Sequence, residues 1–464
     1  MVTIAHWGGV LKRQVADQVS GQGGGFSEHW TSDDIEAGCQ EVGHTWRDRF
    51  WNPAMTFWTF LLQVLHKHSS CRAAVALALS QRAAADMPLA SEDPHGYCQA
   101  RKRLPLEVLR QAVRTVGQHL QSRTLDRHRW CGRRVWLVDG TTCSMPDTGE
   151  LQAAFGQPSG QAPGCGFPVA RIVAMFCWAS GAVLEAAIGA YRKSELPLWR
   201  CLWHLLCPGD LVVADRFYCT FSDIAGLIHR GCDCVFRLHQ RRPYDLRFGK
   251  RLGTHDRLVT WRRPARHNRP RGMSVEQWSL LPTELTVRLL RFAVDIPGFR
   301  SHRIFVATSL LDPIAYPAAQ IAAIYRDRWL VELRLRDIKI TLGMDVLRGK
   351  KPDIVRKEIY MHLLAYNLIR SLMWQAAEAH GRNLHRLSFA GSVDRLNSMT
   401  PYLWLFEGSD KALRLYELLL YWIAHDPIPD RPNRIEPRAK KRRPKEYDLL
   451  NKPRREMRKA LLCK

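Results

Sequence analysis

The stretch from Ile324 to Gly343, IYRDRWLVELRLRDIKITLG, combines five Arg or Lys residues and three carboxylates with a Trp and aliphatic residues. Positions three, four or seven residues apart lie on one face of an α-helix. At about 100° per residue, the aliphatic positions fall within a sector of about 60°. These positions are Ile324, Val331, Leu335, Ile338 and Leu342. The spacing therefore predicts an amphipathic helix that buries this stripe against a core.

A second stripe of the same helix is polar and runs beside the first. Its members fall within about 60° of one another. They are Tyr325, Arg328, Glu332 and Lys339. A surface helix with several salt bridges is the ordinary explanation of such a pattern. The alternative is a functional row at the edge of a core, where the cations suit an anionic ligand and the carboxylate suits a metal ion.

The composition points to a partner with negative charge. The chain has 464 residues, 46% of them hydrophobic, and a formal net charge of +25. Such a length is typical of about three domain-sized units. The charge favours nucleic acid or an anionic membrane surface as the partner. The longest apolar runs are too short for a transmembrane helix, and the N-terminus lacks the apolar segment of a signal peptide.

Cysteine usage indicates the compartment. Thirteen cysteines are scattered along the chain and no Cys-x-x-Cys pair occurs. This usage is typical of a reducing cytosol, not of a disulfide-stabilised secreted protein. We therefore expect a cytoplasmic protein. Its net charge and the lack of an amphipathic anchor predict association with the nucleoid and no membrane partner.

Changes of pattern divide the chain into six segments. Helical periodicity dominates at first, short apolar strand patterns follow, and helical periodicity returns near the end. We predict, in order, a helical N-terminal domain, a first core segment, a basic β-rich insertion, a second core segment with the Glu332 helix, C-terminal helices and a basic tail. The predicted bounds are 1–125, 126–238, 239–300, 301–350, 351–430 and 431–464.

Two of these segments hold most of the excess positive charge. Residues 239–272 carry eleven Lys or Arg against two Asp, and residues 431–464 carry fourteen against four acids. Their net charges of +9 and +10 together make up +19 of the +25. A solvated, disordered tail would explain the second segment without a ligand. Positive charge concentrated to this degree favours phosphate binding, because solubility alone requires less net charge.

Two short apolar runs each end in an aspartate. Val135 to Val138 precedes Asp139, and Leu211 to Ala214 precedes Asp215. Apolar runs without alternation are typical of strands that are covered on both faces. The sequence RIVAMFCWASGAVLEAAIGA predicts a hairpin of two strands around Gly181. The resulting order of strands and helices predicts an α/β fold.

Three carboxylates that converge repel one another unless cations lie between them. An aspartate at the end of a strand is often an ordinary turn residue, so neither Asp139 nor Asp215 is decisive alone. If both meet Glu332, two divalent ions roughly 3.5–4 Å apart would neutralise them and hold a phosphate. Hard oxygen ligands favour Mg²⁺, which Mn²⁺ can replace, over zinc.

The spacing Tyr325-x2-Arg328-x3-Glu332-x6-Lys339 resembles the Y-R-E-K signature of the DDE transposases of bacterial insertion sequences, in the insertion sequence four family. The stretches DGTTCSMPDT and ADRFY resemble the first and second Asp boxes of that family. Further similarity lies in FGQP, GFPVAR, YCQARKRLP and the basic tail PRAKKRRPKEYDLL. The resemblance covers roughly residues 90–450.

This resemblance implies an RNase H-like catalytic core interrupted by a β-rich insertion, with helical N-terminal and C-terminal regions. It implies that Asp139, Asp215 and Glu332 are catalytic and bind two Mg²⁺ ions. It also implies that Tyr325, Arg328 and Lys339 contact phosphates of the transposon end. We expect further DNA contacts from residues beside these motifs, namely Arg216, Trp329 and Arg336.

The predicted function is that of a cut-and-paste DNA transposase. It would bind the terminal inverted repeats, excise the element and join it to target double-stranded DNA, as a homodimer with paired ends. The alternatives are an RNase H-like nuclease without strand transfer, an inactive domesticated DNA-binding protein, and a basic membrane-surface protein. Trp261 and Trp278 lie where relatives that make hairpin ends place a base-stacking Trp, and burial in the insertion is the alternative for each.

Overall fold

The computed structural model describes residues 30–47, 49–67, 69–84, 86–240, 242, 247–265, 269–270, 273–293, 303–406, 409–429 and 448–462. The helices before the sheet are α1 Ser32–Glu41, α2 Pro53–Leu65, α3 Cys71–Ala84, α4 His95–Arg103 and α5 Leu106–Ser122. The strands are β1 Val135–Ser144, β2 Val169–Cys177, β3 Val183–Ala190, β4 Leu211–Ala214, β5 Asp233–Arg237, β6 Lys250–Gly253, β7 Asp256–Arg262, β8 Glu284–Ala293 and β9 Arg303–Thr308. The helices among the strands are α6 Gly149–Phe155, α7 Glu195–Arg200, α8 Phe221–His229 and α9 Val275–Ser279. The later helices are α10 Ala318–Arg326, α11 Trp329–Arg336, a π-helix Asp337–Thr341, α12 Pro352–Ala379, α13 Phe389–Leu405, α14 Asp410–Ala424 and α15 Arg454–Leu462.

The nine strands form one mixed sheet in the order β3-β2-β1-β4-β5-β9-β8-β7-β6. β1 pairs antiparallel with β2, and β2 pairs antiparallel with β3. Gly181 lies between β2 and β3 with φ of +80°, so the predicted hairpin is confirmed. β1, β4 and β5 are parallel neighbours. The α/β class predicted from the sequence is therefore confirmed.

Parallel pairing brings the two predicted aspartates to one edge of the sheet. Val138 is in register with Ala214 on the neighbouring strand. Asp139 and Asp215 are the next residues along each chain segment, but only Asp215 follows the end of its strand, because β1 continues to Ser144; the prediction that Asp139 ends a strand was wrong. The four residues of β4 are all buried, as expected for a strand that is covered on both faces.

The sheet continues into the segment predicted as a β-rich insertion. β9 pairs antiparallel with both β5 and β8, and β8 pairs with β7. Arg288 on β8 is fully buried and donates to both carboxylate oxygens of Asp256 on β7. Its Nη1 also donates to the carbonyl of Tyr316 at 2.7 Å. These contacts attach the outer strands to the segment that leads into α10.

A long buried helix covers the opposite end of the sheet. α12 packs against α5, α2 and α14, and its polar side chains bind the backbone of the β3 edge. Asn367 accepts from the N–H of Val183 at 2.9 Å and donates to the carbonyl of the same residue at 2.7 Å. Tyr360 donates to the carbonyl of Ala186. The helix thereby occupies backbone groups that an edge strand would otherwise leave unpaired.

The helical N-terminal region is built around α2. Asn52 accepts a hydrogen bond from the N–H of Met55 and Pro53 opens the helix, which together define its start. Every residue of α2 except Gln63 is buried, because α1, α3, α4 and α12 surround it. Residues 1–29 and 430–447 lie outside the described residues, as do the predictions made for them. Among the helices that the structure describes, none is both long enough and apolar enough to span a membrane.

Candidate active site

The segment from Ile324 to Gly343 is not one regular helix, so this prediction was wrong. α10 ends at Arg326, α11 begins at Trp329, and a π-helix follows from Asp337. The N–H groups of Arg328 and Leu330 donate to carbonyls three residues back, at 3.2 and 2.9 Å, which tightens the turn. The intervening Asp327 accepts a hydrogen bond from Trp178 Nε1 at 2.9 Å. A contact with a distant part of the chain therefore lies where the helix is interrupted, between α10 and α11.

The predicted apolar stripe survives this break. All five of its residues are buried, and α11 packs on β1. The chain after the π-helix then runs alongside the end of β1. There the Ser144 N–H donates to the Asp345 carbonyl, and the Leu347 N–H donates to the Ser144 carbonyl. The α11 part of the segment and the chain just after the segment thereby contact the strand that carries Asp139.

Arg328 joins two of the three predicted catalytic carboxylates. Its Nη2 donates to Glu332 Oε1 at 2.5 Å, and its Nη1 lies 3.8 Å from Asp139 Oδ2. The Arg328 and Asp139 side chains are 17% and 20% exposed, whereas Glu332 is 36% exposed. The guanidinium therefore neutralises two carboxylates in a partly desolvated position.

Asp215 lies at the start of a tight turn that follows β4. Its Oδ1 accepts a hydrogen bond from the N–H of Phe217 at 2.6 Å, which caps the 3₁₀ helix Arg216–Tyr218. The pKa of Asp139 is raised to about 7, chiefly by burial, and the negative charges of Asp215 and Glu332 contribute to the rise. The Gly140 N–H and Arg328 act in the opposite direction. All three carboxylates are therefore close enough to interact electrostatically.

Tyr325 lies on the same side as the carboxylates and is buried. Burial raises the pKa of its hydroxyl to about 12 against the opposing effects of Arg328 and Arg237, while Asp215 adds to the rise. Arg328 and Tyr325 are also hydrogen-bonded to each other. The signature residues Tyr325, Arg328 and Glu332 thus form one cluster with Asp139 and Asp215.

The remaining predicted DNA contacts lie around this cluster at different depths. Lys339 is half-buried and lies near Cys143. The pKa of the Cys143 thiol is raised to about 12, chiefly by burial, and the positive charge of Lys339 acts in the opposite direction. Arg216 donates to Gln240 Oε1 at 2.9 Å. Trp329 is 47% exposed, and the Arg336 side chain is 62% exposed. Trp329 and Arg336 thus face solvent beside the carboxylates.

Two site residues were missed by sequence reasoning. Arg237 ends β5, the strand next to β4, and burial together with Arg216 lowers the pKa of its guanidinium. Glu195 begins α7, and its carboxylate accepts hydrogen bonds from Arg171 at 2.7 Å and from the Tyr218 hydroxyl at 3.3 Å. A signal for Arg237 existed, because polar residues at the ends of adjacent parallel strands meet at one edge.

A Cβ atom on Gly140 would overlap the carboxyl group of Glu195. This close approach explains why a glycine follows Asp139 in the sequence DGT. Glu195 therefore lies beside the backbone of the residue next to Asp139, and Tyr218 links it to the second Asp box.

A transposase DDE domain family model matches residues 130–368. The chain belongs to the transposase DDE domain family. The transposase InsG for insertion sequence element IS4 of Escherichia coli K12 is 29% identical over 365 residues, which cover 77% of this chain and 79% of that protein. The transposase for insertion sequence element IS421 of Escherichia coli is 40% identical over 58 residues, covering 12% of this chain and 16% of that protein. The resemblance stated from the sequence is confirmed, and the protein is a DDE-type DNA transposase of the IS4 type.

A solved structure titled as the piggyBac transposase synaptic complex with hairpin DNA has a TM-score of 0.41 and 8% identity. The alignment covers 93% of this transposase and 86% of that chain. This TM-score is too low to support a statement about the fold. All three carboxylates, Asp139, Asp215 and Glu332, lie inside the region that the family model matches.

The donor set of the transposase fits a hard divalent cation, because it consists of the carboxylate oxygens of Asp139, Asp215 and Glu332. Among the described residues, however, no group of three His, Cys, Asp or Glu side chains is close enough to hold a metal ion. The Arg328 guanidinium lies between Asp139 and Glu332. The residue types fit a metal site.

The two tryptophans of the insertion segment have different environments. Trp278 is 5% exposed, so burial explains it. Trp261 on β7 is half-buried, and the guanidinium carbon of Arg242 lies 3.9 Å from the centroid of its ring. A cation already covers one face of Trp261, and its assignment to base stacking stays a prediction.

Proposed function

We propose that this transposase binds the terminal inverted repeats of an insertion sequence, excises the element and joins its 3′-OH ends to target DNA. One observation carries the proposal. Asp139 lies within β1 and Asp215 directly follows β4, the neighbouring parallel strand, and Arg328 links Asp139 to Glu332. Three carboxylates at one sheet edge, with cations around them, suit transfer of a phosphoryl group.

The proposed catalytic core is RNase H-like and is interrupted by a basic β-rich insertion at residues 239–300. The order of β1 to β5, with a three-stranded antiparallel unit beside two parallel strands, supports this core. The strands β6, β7 and β8 support the β-rich character of the insertion. The proposed helical DNA-binding domain at residues 1–125 and the C-terminal helices at 351–430 are supported by their helical content.

Asp139, Asp215 and Glu332 are proposed to hold two Mg²⁺ ions, which Mn²⁺ can replace. When bound, such ions activate an attacking oxygen and stabilise the leaving oxygen of an in-line displacement. The role of Arg328 follows from its contacts. If Glu332 and Asp139 held metal, the guanidinium would lose these partners and its N–H groups would be available to a DNA phosphate.

The other cations are proposed to position DNA. Lys339 and Arg216 bind phosphates, Tyr325 orients Arg328, and the exposed Trp329 and Arg336 contact DNA beside the site. The basic tail at 431–464 adds affinity that is independent of DNA sequence. Cleavage and joining require paired ends, so the working form is proposed to be a homodimer on DNA. Such a protein acts in the cytoplasm, at the nucleoid.

Incubation with DNA that carries the ends of the encoding element, in Mg²⁺, tests the proposal. New 3′-OH ends at the element borders and joined products are expected, and neither is expected from Glu332→Gln. Cleavage without any joined product would instead identify a nuclease without strand transfer. Binding without cleavage by the wild type would contradict the proposal.

A further inference from the structure

A cavity of about 620 Å³ lies in the helical N-terminal region, far in sequence from the catalytic carboxylates. Its wall comes from the segment between α1 and α2, the first residues of α2, and both ends of α4. Its volume lies within the range of small-ligand sites, roughly 300–1,000 Å³. Nothing in the catalytic mechanism uses this cavity.

Aromatic rings form one part of the wall and are held by the core. Trp46, Phe50 and Trp51 are half-buried and pack against buried core residues. The ring of Trp51 lies 5.2 Å from the ring of buried Tyr97, and its Cδ1 is 3.0 Å from the position of a Cβ on Gly96. Gly96 therefore lets the α4 backbone approach the ring closely. Trp51 therefore presents a rigid apolar surface, and Trp46 beside it stacks on His44 with ring centroids 6.1 Å apart, which leaves its other face for a ligand.

Cations form the other part of the wall. Arg47, Arg49 and Arg103 are exposed side chains on the cavity lining, and no carboxylate belongs to the described lining. Asp48, between two of these arginines in sequence, lies outside the described residues, and even with its charge the group stays positive. Arg103 and Lys357 also lower the pKa of His44 on the same wall, after the larger effect of burial. The cavity therefore has a positive potential next to aromatic surface.

Contacts connect this region to the chain that leaves the catalytic site. Lys357 on α12 donates to the Lys102 carbonyl at 2.7 Å. Glu358 on α12 accepts hydrogen bonds from the N–H groups of Arg348 and Gly349, and lies 3.5 Å from Arg101 on α4. The loop that follows the Glu332 and Lys339 segment and the end of α4 thus both contact the turn of α12 that carries Lys357 and Glu358. Its side chains Arg348, Lys350 and Lys351 are exposed cations.

We propose that this cavity binds one unstacked nucleotide of the DNA on which the transposase acts, with its base on the aromatic wall and its phosphates on the arginines. The ligand must carry negative charge and a flat ring, and a nucleotide combines both. A stacked base pair exposes only its edges in the grooves, so its face reaches Trp46 only after the base leaves the stack. This inference rests on the proposed DNA-directed function.

Equilibrium binding of the full-length transposase to two short duplexes, without divalent ions, tests the inference. The duplexes share one sequence, and one of them carries a single unpaired thymine. Stacking on an aromatic side chain corresponds to a gain of about 5- to 150-fold in affinity. We expect the wild type to prefer the unpaired base by such a factor, and Trp46→Phe to retain the preference.

Trp46→Ala and Trp46→Leu should both lose this preference, while the matched exposed variant Trp422→Ala in α14 keeps it. The Leu variant keeps an apolar side chain without a stacking ring, so a loss in both variants with intact thermal melts points to the ring itself. Arg103→Gln should weaken binding of both duplexes, whereas Arg382→Gln, another exposed arginine, should not.

Photocrosslinking from an iodouracil at the unpaired position gives an independent readout. Crosslinks to residues 44–51 are expected in the wild type and should disappear with Trp46→Ala. Equal affinity for the two duplexes, an unchanged preference in Trp46→Ala, or crosslinks only elsewhere would each overturn the inference. A protein that binds neither duplex would refute the proposed function as well, whereas tight binding without preference refutes the cavity alone.

Discussion

Arg328 donates a hydrogen bond to Glu332 at 2.5 Å, one turn further along the chain. The same guanidinium lies 3.8 Å from Asp139, which lies on strand β1 and not on the helix of Glu332. A cation at this position offsets the repulsion among Asp139, Asp215 and Glu332. Metal binding by Asp139 and Glu332, as proposed, would remove both partners of Arg328.

Replacement of Arg328 by Ala should weaken assembly of the complex with element ends. A charge-assisted bond to phosphate corresponds to about 1.5–3 kcal/mol, or roughly ten- to over a hundred-fold in affinity. Arg328→Lys should recover part of the loss, because an ammonium keeps the charge without the two-pronged geometry. Gel shifts on end DNA, with Arg382→Ala as control, check this expectation. Wild-type assembly by Arg328→Ala would show that the arginine only neutralises carboxylates.

Asp139→Asn, Asp215→Asn and Glu332→Gln should each abolish end cleavage and leave DNA binding nearly intact. Each change removes a metal-binding charge and keeps the shape of the side chain. Cleavage assays in Mg²⁺ alongside gel shifts measure the two activities separately. In the wild type, removal of divalent ions with a chelator should likewise abolish cleavage and leave DNA binding nearly intact. Robust cleavage by any one of the three variants would remove that residue from the catalytic set.

Gly140→Ala should destabilise the protein by about 1–3 kcal/mol, because the new methyl group displaces the Glu195 carboxylate from Arg171 and Tyr218. The cost should largely disappear in a Glu195→Ala background, where no carboxylate occupies the space. Urea unfolding of the two single variants and the double variant measures this coupling. Additive effects would mean that Glu195 is not what requires a glycine at position 140.

Deletion of residues 431–464 should weaken binding to all DNA sequences alike and flatten its dependence on salt. The segment carries fourteen Lys or Arg. If about five of them contact phosphates, the slope of log affinity against log salt should fall by about four to five. Titrations of random duplex at several salt concentrations measure the slope. An unchanged slope would place the tail away from DNA.

His385 should make folding stability sensitive to acid. Burial, together with Arg334 and Arg370, lowers its pKa from 6.5 to about 3. Below about pH 6.5 the unfolded chain therefore binds a proton that the folded chain does not, and stability falls as the pH drops toward 3. The contribution approaches about 1.4 kcal/mol per pH unit.

His385→Asn should lessen this loss of stability in chemical unfolding at several pH values. Exposed His229→Asn is the matched control and should follow the wild type. Identical pH profiles of the wild type and His385→Asn would mean that the folded protein protonates His385 without cost.

Local sequence determined the elements that carry the site. The apolar runs before Asp139 and Asp215 are strands, the turn at Gly181 joins a hairpin, and all five aliphatic positions of the Glu332 segment are buried. These features depend on side-chain polarity, on strand propensity and on the φ freedom of glycine, which are properties of neighbouring residues. The Y-R-E-K spacing pointed to the family that the comparison confirms.

Tertiary structure alone decided how these elements meet. The break at Asp327 involves Trp178, which lies 149 residues away in the chain, so no helical period could reveal it. The strand order places Arg237 beside Asp215, and the packing of α7 places Glu195 against Gly140. β9 returns beside β5 after the insertion segment, which joins the outer strands to one sheet. Contacts between residues distant in sequence depend on packing of whole elements, whereas hydrophobic periodicity records only which face of each element is buried.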